Sequence, residues 1–244
     1  MTVRRLAELS WPEVPAGSLL VVPIGSCEQH GPHLPMDTDL RIAVALAEAL
    51  ATRRADVVVA PSITVAASGE HQSFPGTLSI GTLATEAAVV ELFRSALPPP
   101  GSTLPRPFDA VVLVNGHGGN VEALQRAEAL LVDEGRQVLV WHPSVPGGDS
   151  HAGRSETSLL LHLDPACVRR DRLEAGSTER WRDIGERVVA DGLAAVSPNG
   201  VLGDPTGADA THGAEVFAAL VDSLERAVGS WRTSGERSGG QRGE

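Results

Sequence analysis

Short apolar runs alternate along this chain with longer stretches in which apolar residues recur at helical spacing. The short runs are rich in valine and leucine, as expected of strands that are buried on both faces. Strands that alternate with helices predict a mostly parallel sheet that is covered by helices on both sides. The pattern therefore predicts an α/β fold, with a single domain over residues 1–232.

Glycine, proline and short polar side chains mark the boundaries of these elements. Residues 98–107 hold five prolines and are expected to form a stiff surface connection. The stretch 197–207 is expected to be a loop, and the polar, glycine-rich segment 233–244 a disordered tail. The expected strands are Ser18–Ile24, Asp56–Ala60, Ser62–Ala67, Gly76–Ile80, Asp109–Val114 and Gln137–Trp141. The expected helices are Asp37–Arg53, Thr82–Leu97, Val121–Glu134, Ser155–Leu163 and Ala210–Trp231.

The composition is that of an ordinary globular protein, with 42% hydrophobic and 21% charged residues among 244. No apolar stretch approaches the ~20 residues that a membrane span needs, and the N-terminus lacks the apolar core of a secretion signal. We therefore expect a cytoplasmic protein that does not associate with a membrane. The net charge of −11 argues against nucleic-acid binding, which favours a basic surface.

Several residue types are missing from the chain, and their absence excludes whole classes of mechanism. All 20 basic residues are arginine, and there is neither lysine nor tyrosine. A lysine Schiff base and a catalytic tyrosine are therefore excluded. The two cysteines, Cys27 and Cys167, are too few for a disulfide scaffold. Cys167 follows a helical pattern and is expected to be a small buried residue.

The first cluster of polar side chains follows the strand Ser18–Ile24 and contains Glu28, His30 and Asp39. Residues two apart in an extended segment point the same way, so Glu28 and His30 can face one point in space. Asp39 falls at the start of a helix, where exposed N–H groups favour a carboxylate. Such a set suits a divalent transition metal. A polar loop with capping aspartates is the other interpretation.

A glycine-rich loop, Asn115–Asn120, follows the strand Asp109–Val114 and presents His117 at the end of that strand. Ligands of parallel sheets bind at this edge. The context also allows a dinucleotide site, but that fingerprint needs glycine at its sixth position, where the chain has Val121. The alternative from a different class is a nucleotide-binding protein or a metal-binding protein without catalytic activity.

Two further stretches carry groups that suit proton transfer or substrate binding. His151 lies in a loop, and the side-chain pKa of histidine is near neutrality, which suits a proton shuttle. Glu156 falls in the first turn of a helix, where a carboxylate is either a ligand or simply a favourable neighbour of the helix dipole. The stretch 68–77 contains Glu70 and His71 and is a candidate lining of the pocket.

Taken together, these motifs closely resemble those of the creatininase family. The resemblance implies a three-layer α/β/α fold with a mostly parallel central sheet, a dinuclear metal site and a homo-oligomer. It also implies hydrolysis of an amide or cyclic amide bond. The matching motifs are, in order along the chain, Pro23–Pro35 (PIGSCEQHGPHLP), Gly69–Leu78, Asn115–Asn120, His151–Ser158 and Gly203–Pro205.

The resemblance also implies a role for each site residue. Glu28 and His30 would bind separate metals, Asp39 would bridge them, and His117 would complete one site. Creatininases proper have a further carboxylate two positions after the loop histidine. Because that position is Gly119 here, Glu156 becomes the remaining ligand and a catalytic group, and the expectation of creatininase activity itself is weaker. His151 would donate a proton to the leaving amine. The expected substrate-binding residues are Glu70, His71, Gly118, Gly119 and Asn120.

Within the family, the sequence looks most like members that cut a modified, ribosomally made precursor peptide. The features are Ser26 and Cys27 before Glu28, the compact length, and Arg154 in the motif around His151. The resemblance then implies release of a unit derived from a C-terminal Val-Tyr. The alternatives within the family are hydrolysis of creatinine, of another cyclic amide or of a formamide.

The mixed nitrogen and oxygen ligands favour zinc together with iron as the two divalent cations, with manganese also possible. Cys27 adjoins a proposed ligand, so a cysteine hydrolase with His30 as the base is a further alternative. That alternative leaves Glu28, Asp39 and His117 without a role. A metal-dependent hydrolase therefore remains the main expectation.

Overall fold

The computed structural model describes residues 2–99 and 101–239. At its centre lies a parallel sheet with the strand order β2-β1-β3-β4. The strands are β1 (Ser18–Ile24), β2 (Val57–Val59), β3 (Phe108–Asn115) and β4 (Val138–Trp141). The helices are α1 (Thr38–Arg53), α2 (Thr82–Ala96), α3 (Val121–Asp133), α4 (Arg154–Leu163), α5 (Trp181–Asp191) and α6 (Ala210–Gly239).

Alternate side chains of β1 enter two different hydrophobic cores. Leu19 and Val21 pack with α1, α4 and α6 on one face of the sheet. Leu20 and Val22 pack with α2 and α3 on the other face. Every residue of β1 is buried, because a sheet covered on both sides has no solvent-facing row. The three-layer α/β/α fold expected from the sequence is confirmed.

Two of the expected strands are wrong. The runs Ser62–Ala67 and Gly76–Ile80 form isolated bridges only, in which Ile63 pairs with Ile24 and Leu78 pairs with Cys27. The chain between these bridges turns through a short 3₁₀ helix, Gly69–His71. The segment therefore leaves the edge of the sheet after one contact and passes over its carboxyl end.

The region after α4 also differs from the sequence expectation. Helix α5 was not expected, because Gly185 and many charged residues obscure its apolar face, which consists of Ile184 and Val188. Cys167 lies half-buried in a 3₁₀ turn rather than buried in a core.

Among the described residues, no helix is long and apolar enough to cross a membrane.

Helix α6 extends further than the sequence indicates. The expected helix ends at Trp231, whereas α6 continues to Gly239. Residues 240–244 of the expected tail lie outside the described residues. The disorder expected for 233–244 and the single domain over 1–232 stay predictions.

Candidate metal centre

The site lies at the carboxyl ends of β1 and β3, where the start of α1 approaches both strands. Gly25 follows β1 and Gly116 follows β3, and a side chain on either glycine would collide with the backbone of Leu40 or Asp39. These two glycines therefore allow the first turn of α1 to lie directly against the end of the sheet. Asp39, which is 2% exposed, reaches the site in this way.

The two carboxylate oxygens of Asp39 face two different imidazoles. Oδ1 lies 3.0 Å from His30 Nε2, and Oδ2 lies 3.2 Å from His117 Nδ1. The Ser26 hydroxyl donates a hydrogen bond of 2.7 Å to Oδ2 and fixes the orientation of the carboxylate. A carboxylate held between two nitrogen ligands in this way has the geometry of a bridging ligand.

The Glu28 carboxylate is completely buried, and among the described residues neither of its oxygens has a hydrogen-bond donor of good geometry. The nearest groups are His117 Nε2, 3.0 Å from Oε2, and His71 Nε2, 3.3 Å from Oε1. A buried carboxylate without donors is costly unless a cation compensates its charge. This orphaned group is the observation that best fits a metal.

Three overlapping sets of three possible ligands lie here: Glu28, His30 and His151 form one of them, and the other two share Asp39. Of these two, one is Glu28, Asp39 and His117, and the other is His30, Asp39 and Glu156; within each set the ligand atoms lie within 4.8 Å of one another. Three protein ligands per cation, with room for a water, is the usual arrangement of a catalytic zinc site. The structure therefore brings together all five residues that the sequence suggested as ligands.

The charges of this cluster are strongly coupled. Burial lowers the pKa of His30, but the adjacent Asp39 carboxylate outweighs burial and raises that pKa to about 10. Burial raises the pKa of Glu156 to about 7 and also raises the pKa of Glu28. For Asp39, burial acts in the same direction, yet the charge of His30 lowers its pKa well below the usual value.

Gly119 and Glu70 explain how the cluster departs from the family pattern. A side chain at position 119 would collide with the Glu70 carboxylate and with the His117 ring, so no carboxylate can be accommodated there. Glu70 Oε1 occupies this region instead, 3.6 Å from His117 Nε2. Glu70, expected only as a substrate-binding residue, thus lies at the edge of the metal cluster.

His71 and His151 lie beside the cluster as a pair of buried rings, 4.6 Å between centroids. Burial lowers the pKa of His71 to about 3. Burial and the charge of His30 lower the pKa of His151 well below its usual value. Both imidazoles are therefore neutral near pH 7. Ala152, next to His151, has φ of 52°, and it is the one non-glycine residue with positive φ in the described ranges.

Asn120 differs from its expected role in substrate binding. Its side chain is fully buried and bonds to the protein through both ends of the amide. Oδ1 accepts from the Ala67 N–H at 3.0 Å, and Nδ2 donates to the carbonyl of Gly25 and to Asn115 Oδ1. Asn120 therefore anchors the glycine-rich loop, whereas Gly118 is exposed at the site.

Both ring nitrogens of His30 are occupied within the protein, which leaves none to serve Cys27 as a base. Nε2 faces Asp39, and Nδ1 lies 3.1 Å from the main-chain carbonyl of Glu28. The Cys27 thiol is half-buried and lies 4.0 Å from the carbonyl of Gly76. This geometry argues against the cysteine hydrolase alternative.

Two neighbouring cavities open beside the cluster. The nearer one, of about 270 Å³, is lined by His117, Gly118, His142 and Glu156 among others. The second, of about 560 Å³, is lined by Arg154, Arg180, Trp181 and His212 among others. The two linings share four residues of the segment around Asp149, namely Val145, Asp149, Ser150 and Ser155.

Comparison with known families gives a match over nearly the whole chain. Residues 7–228 match the family model described as Creatininase: Creatinine amidohydrolase. The mycofactocin precursor peptide peptidase of Mycolicibacterium smegmatis is 48% identical over 220 residues, covering 88% of this chain and 85% of that protein. The protein of the same name from Mycobacterium tuberculosis is 49% identical over 222 residues, covering 87% and 85%.

A solved structure also matches the fold. The structure named Creatininase Mn has a TM-score of 0.75 and 25% identity, and the match covers 93% of this chain and 98% of that one. The match confirms the arrangement of layers. It also supports the binding of divalent cations by the acidic and imidazole side chains of the cluster described above.

Proposed function

The chain belongs to the creatininase family, and from this premise we propose that it is a metal-dependent peptidase for the mycofactocin precursor peptide. It is a hydrolase that acts on C–N bonds, in line with its family and its relatives. The proposed reaction releases a unit derived from the C-terminal Val-Tyr of the modified peptide. The observation that carries the proposal is the pair of ligand sets that share Asp39 around the orphaned Glu28 carboxylate.

We assign Glu28, Asp39 and His117 to one cation, and His30, Asp39 and Glu156 to the other. Zinc with iron is the proposed pair, and manganese is the other candidate, because the donors are mixed oxygen and nitrogen. When bound, such cations supply Lewis acidity, which polarises an amide carbonyl and lowers the pKa of water towards about 7 for zinc.

His151 is the proposed proton carrier of the reaction. Its Nε2 lies 2.9 Å from the main-chain carbonyl of Gln29, which fixes the ring. Its Nδ1 faces the cluster, 3.8 Å from Glu28 Oε1. Nδ1 is therefore placed to take up a proton at the cluster and pass it to the leaving amine, which cannot depart unprotonated.

The two cavities supply room for a peptide rather than for a small cyclic amide alone. The smaller cavity contains His117 and Glu156 and is the proposed place of the scissile bond. The larger one, of about 560 Å³, is the proposed place for the flanking residues. Trp181, half-exposed at the start of α5, offers an aromatic surface there.

The test is incubation of the metal-loaded protein with the modified precursor peptide, and separately with creatinine, followed by mass spectrometry. We expect a shortened peptide and a released fragment of complementary mass, and little product from creatinine. Asp39→Asn, which removes the shared ligand, serves as the inactive control. Turnover of creatinine with an uncut peptide would replace the proposed substrate by that of the creatininases proper.

We also propose that the protein acts in the cytoplasm, and that it forms a homo-oligomer, as the family resemblance implies. Light scattering on the purified protein tests whether it is a homo-oligomer, because this method gives the mass of the particle directly. A mass of 25.4 kDa would identify a monomer and contradict it.

A further inference from the structure

His142 directly follows β4 at the carboxyl edge of the sheet, and neither metal binding nor proton transfer gives it a role. It is half-buried and lines the smaller cavity together with His117 and Glu156. Among the described residues, its one side-chain hydrogen bond is to Asn115, and it belongs to none of the sets of possible metal ligands. The state of this ring therefore depends on Asn115 rather than on the cations.

The orientation of the Asn115 amide is fixed by its neighbours in the glycine-rich loop. Asn115, the last residue of β3, is 1% exposed. Its Oδ1 accepts hydrogen bonds from the His117 main-chain N–H at 3.2 Å and from Asn120 Nδ2 at 3.1 Å. Its Nδ2 donates to the main-chain carbonyl of His117 at 2.6 Å. A flipped amide would place an NH₂ group against two donors and an oxygen against a carbonyl, so this orientation is the one that satisfies the network.

The second hydrogen of Asn115 Nδ2 determines the tautomer of His142. Nδ2 lies 3.0 Å from His142 Nδ1. Because an amide nitrogen can only donate, His142 Nδ1 must be an unprotonated acceptor. A neutral imidazole carries its single proton on the other nitrogen, so Nε2 of His142 is an N–H donor. Burial lowers the pKa of His142, which keeps the ring neutral near pH 7.

The Nε2–H group of His142 is open to the smaller cavity. Among the described residues, no hydrogen bond involves this nitrogen, and it is not one of the buried polar atoms that lack a partner. It therefore reaches the surface of the cavity of about 270 Å³ that the ring lines. Several other lining residues are apolar, among them Ile42, Val121 and Leu159. A pocket with apolar walls and a few placed polar groups uses those groups to orient its ligand.

We propose that His142 is a substrate-binding residue whose Nε2–H donates a hydrogen bond to a carbonyl oxygen of the peptide beside the scissile bond. The identity of the acceptor rests on the proposed function, whereas the donor does not. An uncharged N–H matches a main-chain carbonyl, which is an uncharged acceptor. Asn115 Nδ2 bonds both to the loop of His117 and to the His142 ring, so one amide holds the donor in register with the metal cluster.

Three substitutions of His142 separate substrate binding from a purely structural role. His142→Asn keeps an acceptor for Asn115 but has no donor at the position of Nε2. His142→Gln keeps that donor and loses the contact with Asn115, and His142→Phe has neither. KM for the peptide should rise about 3–10-fold in the Asn and Phe variants, the usual effect of one hydrogen bond, with kcat nearly unchanged. The Gln variant should stay near the wild-type KM. A raised KM in the Gln variant with a wild-type value in the Asn variant would refute the binding role, as would equal KM values in all four proteins.

Spectra of the ring nitrogens test the donor without any turnover. They are ¹⁵N–¹H correlation spectra of the zinc-loaded protein with labelled histidine, in which the signals lost in His142→Phe identify this residue. We expect its proton on Nε2, and a proton on Nδ1 would overturn the proposal.

His162→Phe is the matched control, because His162 is exposed and lines neither cavity. It should leave KM and the His142 signals unchanged. If the wild type left the peptide intact and cut creatinine, only the proposed substrate would fail. The same four KM values, measured with creatinine and its ring carbonyl, would then decide the role of His142.

Discussion

At the scale of single residues, we expect Asp39 to have the largest influence on the site, because it is the residue shared by the two proposed ligand sets. We expect about two equivalents of metal in the wild type and no more than about one in Asp39→Asn, since the neutral amide is a poor ligand for a transition metal. Elemental analysis of the dialysed proteins measures this. Asp37→Asn is the control, because the Asp37 carboxylate accepts a hydrogen bond from Arg41 and belongs to neither proposed ligand set. Equal metal in both variants would contradict the shared ligand.

His151 separates metal binding from turnover. His151→Ala should keep its metal, because each of the two proposed ligand sets, which share Asp39, has three ligands without His151, although His151 also lies within ligand distance of Glu28 and His30. Its kcat on the peptide should fall about 10²–10⁴-fold, the usual value of a proton-transfer group. His162→Ala, which changes a histidine that packs on Phe217, is the control in the same steady-state assay. A wild-type kcat in His151→Ala would exclude the proton-transfer role.

The raised pKa values of the cluster make cation binding depend on pH. His30, whose pKa is about 10, and part of the Glu156 population, whose pKa is about 7, carry protons in the metal-free protein at neutral pH. A cation must displace these protons, so the apparent affinity should increase as the pH rises from 6 towards 10. Calorimetric titration in buffers of different ionisation enthalpy measures the protons released, and a binding enthalpy independent of the buffer would contradict the assignment.

At the scale of elements, the cores on the two faces of the sheet carry the stability. Leu46 of α1 is fully buried, so Leu46→Ala should lower the free energy of unfolding by about 2–5 kcal/mol. Leu83 of α2 is 73% exposed, and Leu83→Ala should change it by less than about 0.5 kcal/mol. Urea unfolding of the metal-free proteins compares them, and equal midpoints would contradict this division of the core.

The sequence predicts those elements whose apolar pattern is strong and continuous. The buried runs around Leu19 and Val111 and the long helix around Leu46 agree with the structure. The sequence pattern does not predict helix α5, because the buried face of this helix consists of only two residues, Ile184 and Val188. The run around Ile63 resembles a strand, yet a tertiary contact allows it a single bridge. Local pattern cannot reveal where the sheet ends.

The site was predictable to the extent that its residues form recognisable motifs. Glu28, His30, Asp39 and His117 follow strands or begin a helix, and the structure gathers them as expected. The role of Glu70 at the cluster and of His142 in the smaller cavity depends on contacts between residues that are distant in sequence. A single histidine after a strand does not show which of its ring nitrogens is free before those contacts are known.

At the scale of the whole molecule, the larger cavity should determine the preference for peptide over small amides. Trp181→Ala should raise KM for the peptide about tenfold, because aromatic contacts are worth about 0.5–1.5 kcal/mol beyond the buried area, with kcat nearly unchanged. Trp11→Ala is the control, since Trp11 is 87% exposed and does not line either cavity. Steady-state kinetics with both variants measures the KM for the peptide. An equal KM in the two variants would mean that the peptide binds outside the larger cavity.

The proposed ligands come from four separate places: the loop after β1, the first turn of α1, the loop after β3 and the first turn of α4. An unfolded chain cannot hold these groups near one another, so the cations bind the native state almost exclusively. Each tightly bound ion therefore shifts the folding equilibrium by mass action. A cell starved of the proposed divalent cations would lose this protein through unfolding and proteolysis, so that the abundance of the enzyme, and not only its activity, would follow the supply of metal.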